Sequence, residues 1–129
     1  MKDQKNPLPK SFHRGLRAFN QGEFYEAHEY FESAWRQTPG EEREFFRAFL
    51  HMSGGFFRLT QNRPAAAKKF FAHAQKWFSG FEEQHHGFDV AQILRQLENL
   101  MVLIDQQIPP DDILAGQYQP IQPGGGQTL

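Results

Sequence analysis

The residues of this chain best suited to chemistry lie in the pattern His28-Glu29-x-x-Glu32, within a stretch that reads as a helix. At about 100° per residue, Glu32 lies roughly 40° from His28 around the helix axis, and Glu29 lies roughly 100° away. An imidazole and a carboxylate one turn apart have the spacing at which a single helix can supply two ligands to a metal ion. The same groups can act as acid, base or anchor for a small molecule. The pattern predicts a polar site without naming its chemistry.

The helix that carries these residues is predicted over about residues 23–37, because its apolar positions recur at the helical period. His28 falls on the same stripe as the apolar residues, so we expect its imidazole to face the core. Tyr25 and Glu32 stand at the edge of this stripe. The stripe itself consists of Phe24, Ala27, His28, Phe31 and Trp35.

The next helix, predicted over about residues 41–61, is apolar around most of its circumference, which is typical of a central helix. Its remaining stripe is polar, and a buried charge without a partner costs several kcal/mol. We therefore expect this stripe to pair with the polar residues of the preceding helix where the two cross. Gly54 and Gly55 each cost about 1 kcal/mol against alanine in mid-helix, which predicts a close approach there. The predicted pocket residues are Tyr25, His28, Glu29, Glu32, Trp35, Arg47, His51 and Arg58, with Glu44 on the same stripe.

Three interpretations of this cluster stay open. A metal ion needs a third protein ligand, and the candidates are His28, Glu32 and His51, although the pattern matches neither His-Glu-x-x-His nor Glu-x-x-His. The cluster can instead be a buried polar network, or it can line a pocket. We favour a binding or interaction module, because no complete nucleophile, phosphate loop or ligand set can be assembled. The alternative is a small enzyme, such as a metal-dependent hydrolase, that uses His28, Glu29, Glu32 and His51; no cofactor or substrate is indicated.

The remaining histidines are predicted at the surface. His85 and His86 stand in the polar stretch Gln84-His85-His86-Gly87 between two helices, which is more typical of a solvated loop than of a ligand set. His13 and His73 lie on the polar sides of their predicted helices.

Composition narrows the class of protein. The chain has 129 residues, a net charge of −1 with both signs interspersed, and no cysteine. This balance gives no field for phosphate backbones or anionic lipid, so neither nucleic acid nor membrane is expected as a partner. Disulfides, cysteine-based zinc sites and thiol nucleophiles are excluded. No signal-like or membrane-spanning apolar run is present, and we expect a cytoplasmic protein.

The hydrophobic pattern predicts an all-α fold, a compact single-domain bundle of about five helices. Residues 1–10 form a flexible lead-in, residues 11–108 the helical domain, and residues 109–129 a Pro/Gly-rich tail without regular structure. No alternation of period two indicates a strand. The 14 phenylalanines exceed what one small core readily hides, which predicts a homodimer through the exposed rings. An unknown small molecule or another protein is also open as a partner.

The chain resembles the domain-of-unknown-function 309 family of bacteria and archaea. The resemblance rests on Phe19-Asn20, Gly22, the stretch from Phe24 to Glu29, Glu32 and Trp35, the helix near Arg47, and the Asn62 turn before Ala66-Ala67. It covers roughly residues 11–108. It implies a compact all-α fold whose polar motif residues gather on the inner face of the bundle, and it implies no particular activity. Ala48-Phe49-Leu50-His51 stands where the family usually has Gly-Leu-Ile-Gln, which favours a hydrogen-bonding pocket over a metal site.

Overall fold

The computed structural model describes residues 7–117, and α-helices make up most of them. The predicted all-α fold is confirmed, with one helix more than expected and one very short hairpin. Residues 1–6 of the predicted lead-in and residues 118–129 of the predicted tail lie outside the described part. The elements are α1 (Lys10–Asn20), α2 (Phe24–Gln37), α3 (Glu42–Thr60), α4 (Pro64–Phe78), β1 (Gln84–His85), β2 (Phe88–Asp89), α5 (Val90–Asp105) and α6 (Pro110–Gln117).

The helix α3 lies at the centre of the molecule, as its pattern predicted. It packs between α2 and α4, while α1 lies against α2, α5 lies against α4, and α6 contacts α3 and α5. Of the described helices, α3 buries the most residues. Its fully buried rings are Phe45, Phe46, Phe49 and Phe56. The core is accordingly a cluster of phenylalanine rings.

The two mid-helix glycines of α3 serve the crossing with α4, not the crossing with α2 that we expected. A Cβ atom on Gly54 would lie 2.5 Å from the ring of Phe70, and one on Gly55 would lie 2.5 Å from the ring of Phe71. Both distances are too short for a real contact. The glycines therefore admit two aromatic side chains of α4.

Helix starts follow the predicted caps only in part. The carboxylate of Asp89 accepts a hydrogen bond from the backbone N–H of Gln92 at 3.0 Å, so the predicted cap of α5 is confirmed. By contrast, α1 begins at Lys10 after Pro9, one residue before the predicted cap Ser11. The helix α3 begins at Glu42 with no side-chain cap, although Thr38 was the expected one.

A short antiparallel hairpin joins α4 to α5, where the sequence predicted only a loop. Gln84 pairs with Asp89 and His85 pairs with Phe88, which leaves His86 and Gly87 as the two-residue turn. Strands of two residues are too short to show an alternating pattern, which is why the sequence pattern did not reveal them.

The chain after α5 forms a sixth helix, α6, where a tail without regular structure was expected. Pro110 occupies the first turn, where its missing N–H costs nothing, and Asp111 and Asp112 complement the helix dipole there. Ile113 is fully buried and fixes α6 to the core. No helix among residues 7–117 is long and apolar enough to cross a lipid bilayer.

Candidate functional site

The predicted site residues lie on one partly exposed surface formed by three neighbouring helices, which we call the α2–α3–α4 face. Its aromatic rings and cations contact each other from helix to helix, as the Tyr25 and Phe57 rings do at 5.3 Å. We define the face by Tyr25, His28, Glu29, Glu32 and Trp35 of α2, Arg43, Glu44, Arg47, His51, Phe57 and Arg58 of α3, and Phe70, His73 and Trp77 of α4.

Arginines packed on indole rings form the centre of the face. The Arg47 guanidinium lies 5.0 Å from the ring centre of Trp35 and 4.7 Å from that of Trp77, so it bridges α2 and α4. Arg43 lies 4.7 Å from the same Trp35 ring. These separations are within the range of cation–π attraction. The nearest acidic partner of Arg47 is Glu44 on its own helix, at 3.4 Å.

A pair of histidines borders this centre. The rings of His51 and His73 lie 5.3 Å apart, edge to face, and Phe70 packs 6.0 Å from His51. Burial lowers the pKa of His51 to about 4, and the nearby His73, Arg47 and His28 lower it further. At neutral pH the imidazole of His51 is therefore uncharged, with one nitrogen donating and the other accepting.

His28 lies at the border of the core, which corrects the expectation that its imidazole faces inward. Its ring stacks 6.1 Å from the ring of Tyr25, whose side chain is 48% exposed. Burial lowers the pKa of His28, Glu32 and Glu29 partly oppose this, and Arg58 adds to it. The residues of α2 that do face the core are Phe24, Ala27, Phe31 and Ala34.

The two predicted polar stripes share the face without pairing directly. Glu32 binds Arg36 of its own helix at 2.7 Å, and Glu29 is exposed. Arg58 lies 4.5 Å from the Phe70 ring. Within residues 7–117, no hydrogen bond or ion pair joins the acids of α2 to the cations of α3. The coupling between the stripes is confined to charge interactions at longer range, such as that of His28 with Arg58.

Polar atoms without partners are concentrated on this face. The described residues have six buried side-chain nitrogen or oxygen atoms that make no hydrogen bond, and four of them belong to the face. The four are His28 Nδ1, Trp35 Nε1, Arg43 Nε and Glu44 Oε1. Because most buried polar groups in proteins are hydrogen-bonded, this concentration indicates a surface prepared for a partner.

A second polar cluster, which the sequence analysis did not find, borders the largest cavity described. The cavity has a volume of about 740 Å³ and contains none of the eight predicted pocket residues. Glu42, His85 and His86 stand at its wall and bring three potential metal ligands together, whereas His28, Glu32 and His51 form no such group among the described residues. The dipeptide His86-Gly87, suited to a two-residue hairpin turn, was the one signal in the sequence that pointed to it.

Comparison with known families supports the resemblance described above. Residues 12–70 match the family described as a domain of unknown function, DUF309, so the resemblance is confirmed. The match includes α2 and α3 and ends within α4. It contains Glu42 but neither His85 nor His86. The comparison with curated proteins gave no match.

Proposed function

The chain carries a DUF309 domain, and we propose that it acts as an interaction module that pairs with a second copy of itself through the α2–α3–α4 face. The observation that carries this proposal is the set of four unpartnered polar atoms among partly exposed indole rings and arginines. A polar atom that is already desolvated gains a hydrogen bond from a partner at little further cost.

The side chains of the face are those that dominate binding energy in protein interfaces. Trp, Tyr and Arg are enriched among such residues, whereas Lys is depleted. The indoles of Trp35 and Trp77 hold Arg47 in one conformation, so less side-chain entropy is lost on binding. These properties favour a protein surface over a nucleic acid or a lipid as the partner.

The charges of the face favour a second copy over another protein. Glu29 and Glu32 lie on α2, while Arg43 and Arg47 lie on the neighbouring α3. In a dimer with twofold symmetry, the same patch meets itself, so the acidic row of one copy can lie against the basic row of the other. A patch that carries both signs in adjacent rows is complementary to itself.

The test is the mass of the protein in solution, measured by light scattering over a range of micromolar concentrations. We expect twice the chain mass of 15.0 kDa for the parent protein. Arg47→Glu places a negative charge between the acidic rows and should shift the dimer to monomer, with at least a tenfold weaker association. The matched control is Arg14→Glu, the same charge reversal at an exposed position of α1, which should leave the dimer intact.

Two results would overturn the proposal. A parent protein of 15.0 kDa at every concentration would show that the face does not pair with itself. A dimer that Arg47→Glu and Arg14→Glu weaken equally would show that pairing uses another surface. Circular dichroism of both variants verifies that the helices are retained.

A further inference from the structure

We propose that Glu42, His85 and His86 form a binding site for one divalent transition-metal ion, with Zn²⁺ as the representative ion. The site is separate from the α2–α3–α4 face and does not depend on self-association. It joins the first residue of α3 to the hairpin between α4 and α5.

The distances between the three side chains are those of ligands around a common ion. His86 Nε2 lies 2.8 Å from Glu42 Oε2, and His85 Nε2 lies 3.2 Å from the same oxygen. All three ligand atoms lie within 4.8 Å of one another. Bonds of about 2.0–2.1 Å to a zinc ion place neighbouring ligands about 3.0–3.4 Å apart, so a small movement of the side chains accommodates the ion.

The hairpin turn brings two adjacent histidines to the same carboxylate. His86 has a φ of 49° and Gly87 a φ of 79°, the left-handed pair that a two-residue hairpin requires. Histidine adopts this conformation less readily than glycine or asparagine. A residue that is unusual for its backbone and also reaches a second polar group indicates a functional role.

The site is held rigidly by aromatic rings. The His85 ring packs 4.6 Å from the fully buried Phe45 and 4.8 Å from Phe81. The side chain of His86 is only 7% exposed, against 20% for His85 and 28% for Glu42. Ligands fixed in this way lose little conformational freedom when an ion binds.

The ligand set selects the class of ion. Two imidazole nitrogens and one carboxylate suit Zn²⁺, Fe²⁺ or Ni²⁺, whereas Mg²⁺ and Ca²⁺ prefer oxygen ligands throughout. Three protein ligands leave at least one position of the ion open. Because the cluster borders the cavity of about 740 Å³, that position can be filled by water or by a small donor molecule.

The experiment is calorimetric titration of the chelator-treated protein with Zn²⁺, and separately with Mg²⁺. We expect one Zn²⁺ per chain and no binding of Mg²⁺. Glu42→Gln and His85→Gln should each lower the Zn²⁺ affinity more than about 100-fold, because each removes a direct ligand. Co²⁺ gives a second measurement, since its visible absorption reports nitrogen and oxygen ligation and should be lost in both variants.

The matched control is the double variant His51→Gln/His73→Gln, which removes the other close pair of histidine rings, where no third ligand joins them within the described residues. It should bind Zn²⁺ as the parent protein does. Equal loss of affinity in this control and in Glu42→Gln would overturn the proposal, as would a parent protein that binds no Zn²⁺. Melting curves without metal identify any variant that fails to fold.

Discussion

The α2–α3–α4 face and the Glu42–His85–His86 cluster differ in how the chain assembles them. Every residue of the face repeats at helical spacing within its own helix, and the three helices follow one another in the chain. The cluster joins residues 43 positions apart, through a hairpin of two-residue strands. Periodicity therefore reveals the first region, while only the folded chain reveals the second.

The two regions also differ in how their polar groups are satisfied. On the face, arginines pack on indole rings and several polar atoms lack partners. In the cluster, two imidazoles converge on a single carboxylate. An open, aromatic and partly unsatisfied surface suits a protein partner, whereas a compact group of convergent ligands suits an ion.

The largest effect that separates the regions is the response of the face to acid. In the folded protein the pKa of His51 is about 4, against 6.5 for an ordinary histidine, so the unfolded chain binds more protons between these values. The stability due to neutral His51 is fully present above pH 6.5 and is lost as the pH falls towards 4. We expect a loss on the order of 1–3 kcal/mol, allowing for partial solvent screening.

The measurement is urea unfolding of the parent protein and of His51→Gln at several pH values between 4 and 7. The difference in unfolding free energy between the two proteins should shrink or reverse as the pH falls. His13→Gln, at an exposed position of α1, is the control and should follow the parent curve. Parallel curves for the parent and His51→Gln would contradict this account of the face.

The sequence predicted the helical frame well because each helix buries an apolar stripe. The six-residue hairpin region and α6 were missed because short strands show no alternation, and because Pro110 and Asp111 resemble a tail when the burial of Ile113 is unknown. The face was predicted by its residues but not by its contacts. Helical spacing shows that His28 and Arg58 point in a common direction, yet it cannot show that Arg58 packs on Phe70 instead of pairing with Glu32.

A smaller effect tests the contacts of the face. Because Glu32 pairs only with the exposed Arg36 on its own helix, Glu32→Ala should cost less than about 1 kcal/mol of unfolding free energy. The same substitution removes the carboxylate that raises the pKa of His28, so that pKa should fall further. Glu29→Ala is the control, and it should lower the pKa of His28 by less.

Urea unfolding and NMR titration of the His28 ring give both quantities. A loss of 3–5 kcal/mol in Glu32→Ala, the cost of leaving a buried charge unmatched, would mean that the carboxylate pairs with a buried cation of α3. An unchanged pKa would mean that Glu32 and His28 do not share one face.

The smallest effect on stability distinguishes ligation from structure in the cluster. Asparagine adopts the left-handed backbone of His86 more readily than histidine does, so His86→Asn should leave the metal-free unfolding free energy unchanged or raise it by a few tenths of a kcal/mol. Gly87→Ala keeps all three ligands but forces a Cβ atom into a φ of 79°, and it should cost roughly 1–2 kcal/mol.

Adding Zn²⁺ should separate these two variants in the opposite sense. An ion that binds only the folded state raises stability according to its concentration relative to its dissociation constant, so Gly87→Ala should gain from Zn²⁺ and His86→Asn should not. Urea unfolding with chelator and then with excess Zn²⁺ measures both. If His86→Asn lost more than about 1 kcal/mol without metal, the 2.8 Å contact of His86 with Glu42 would be a structural bond, because the more compatible turn residue would then have failed to compensate for it.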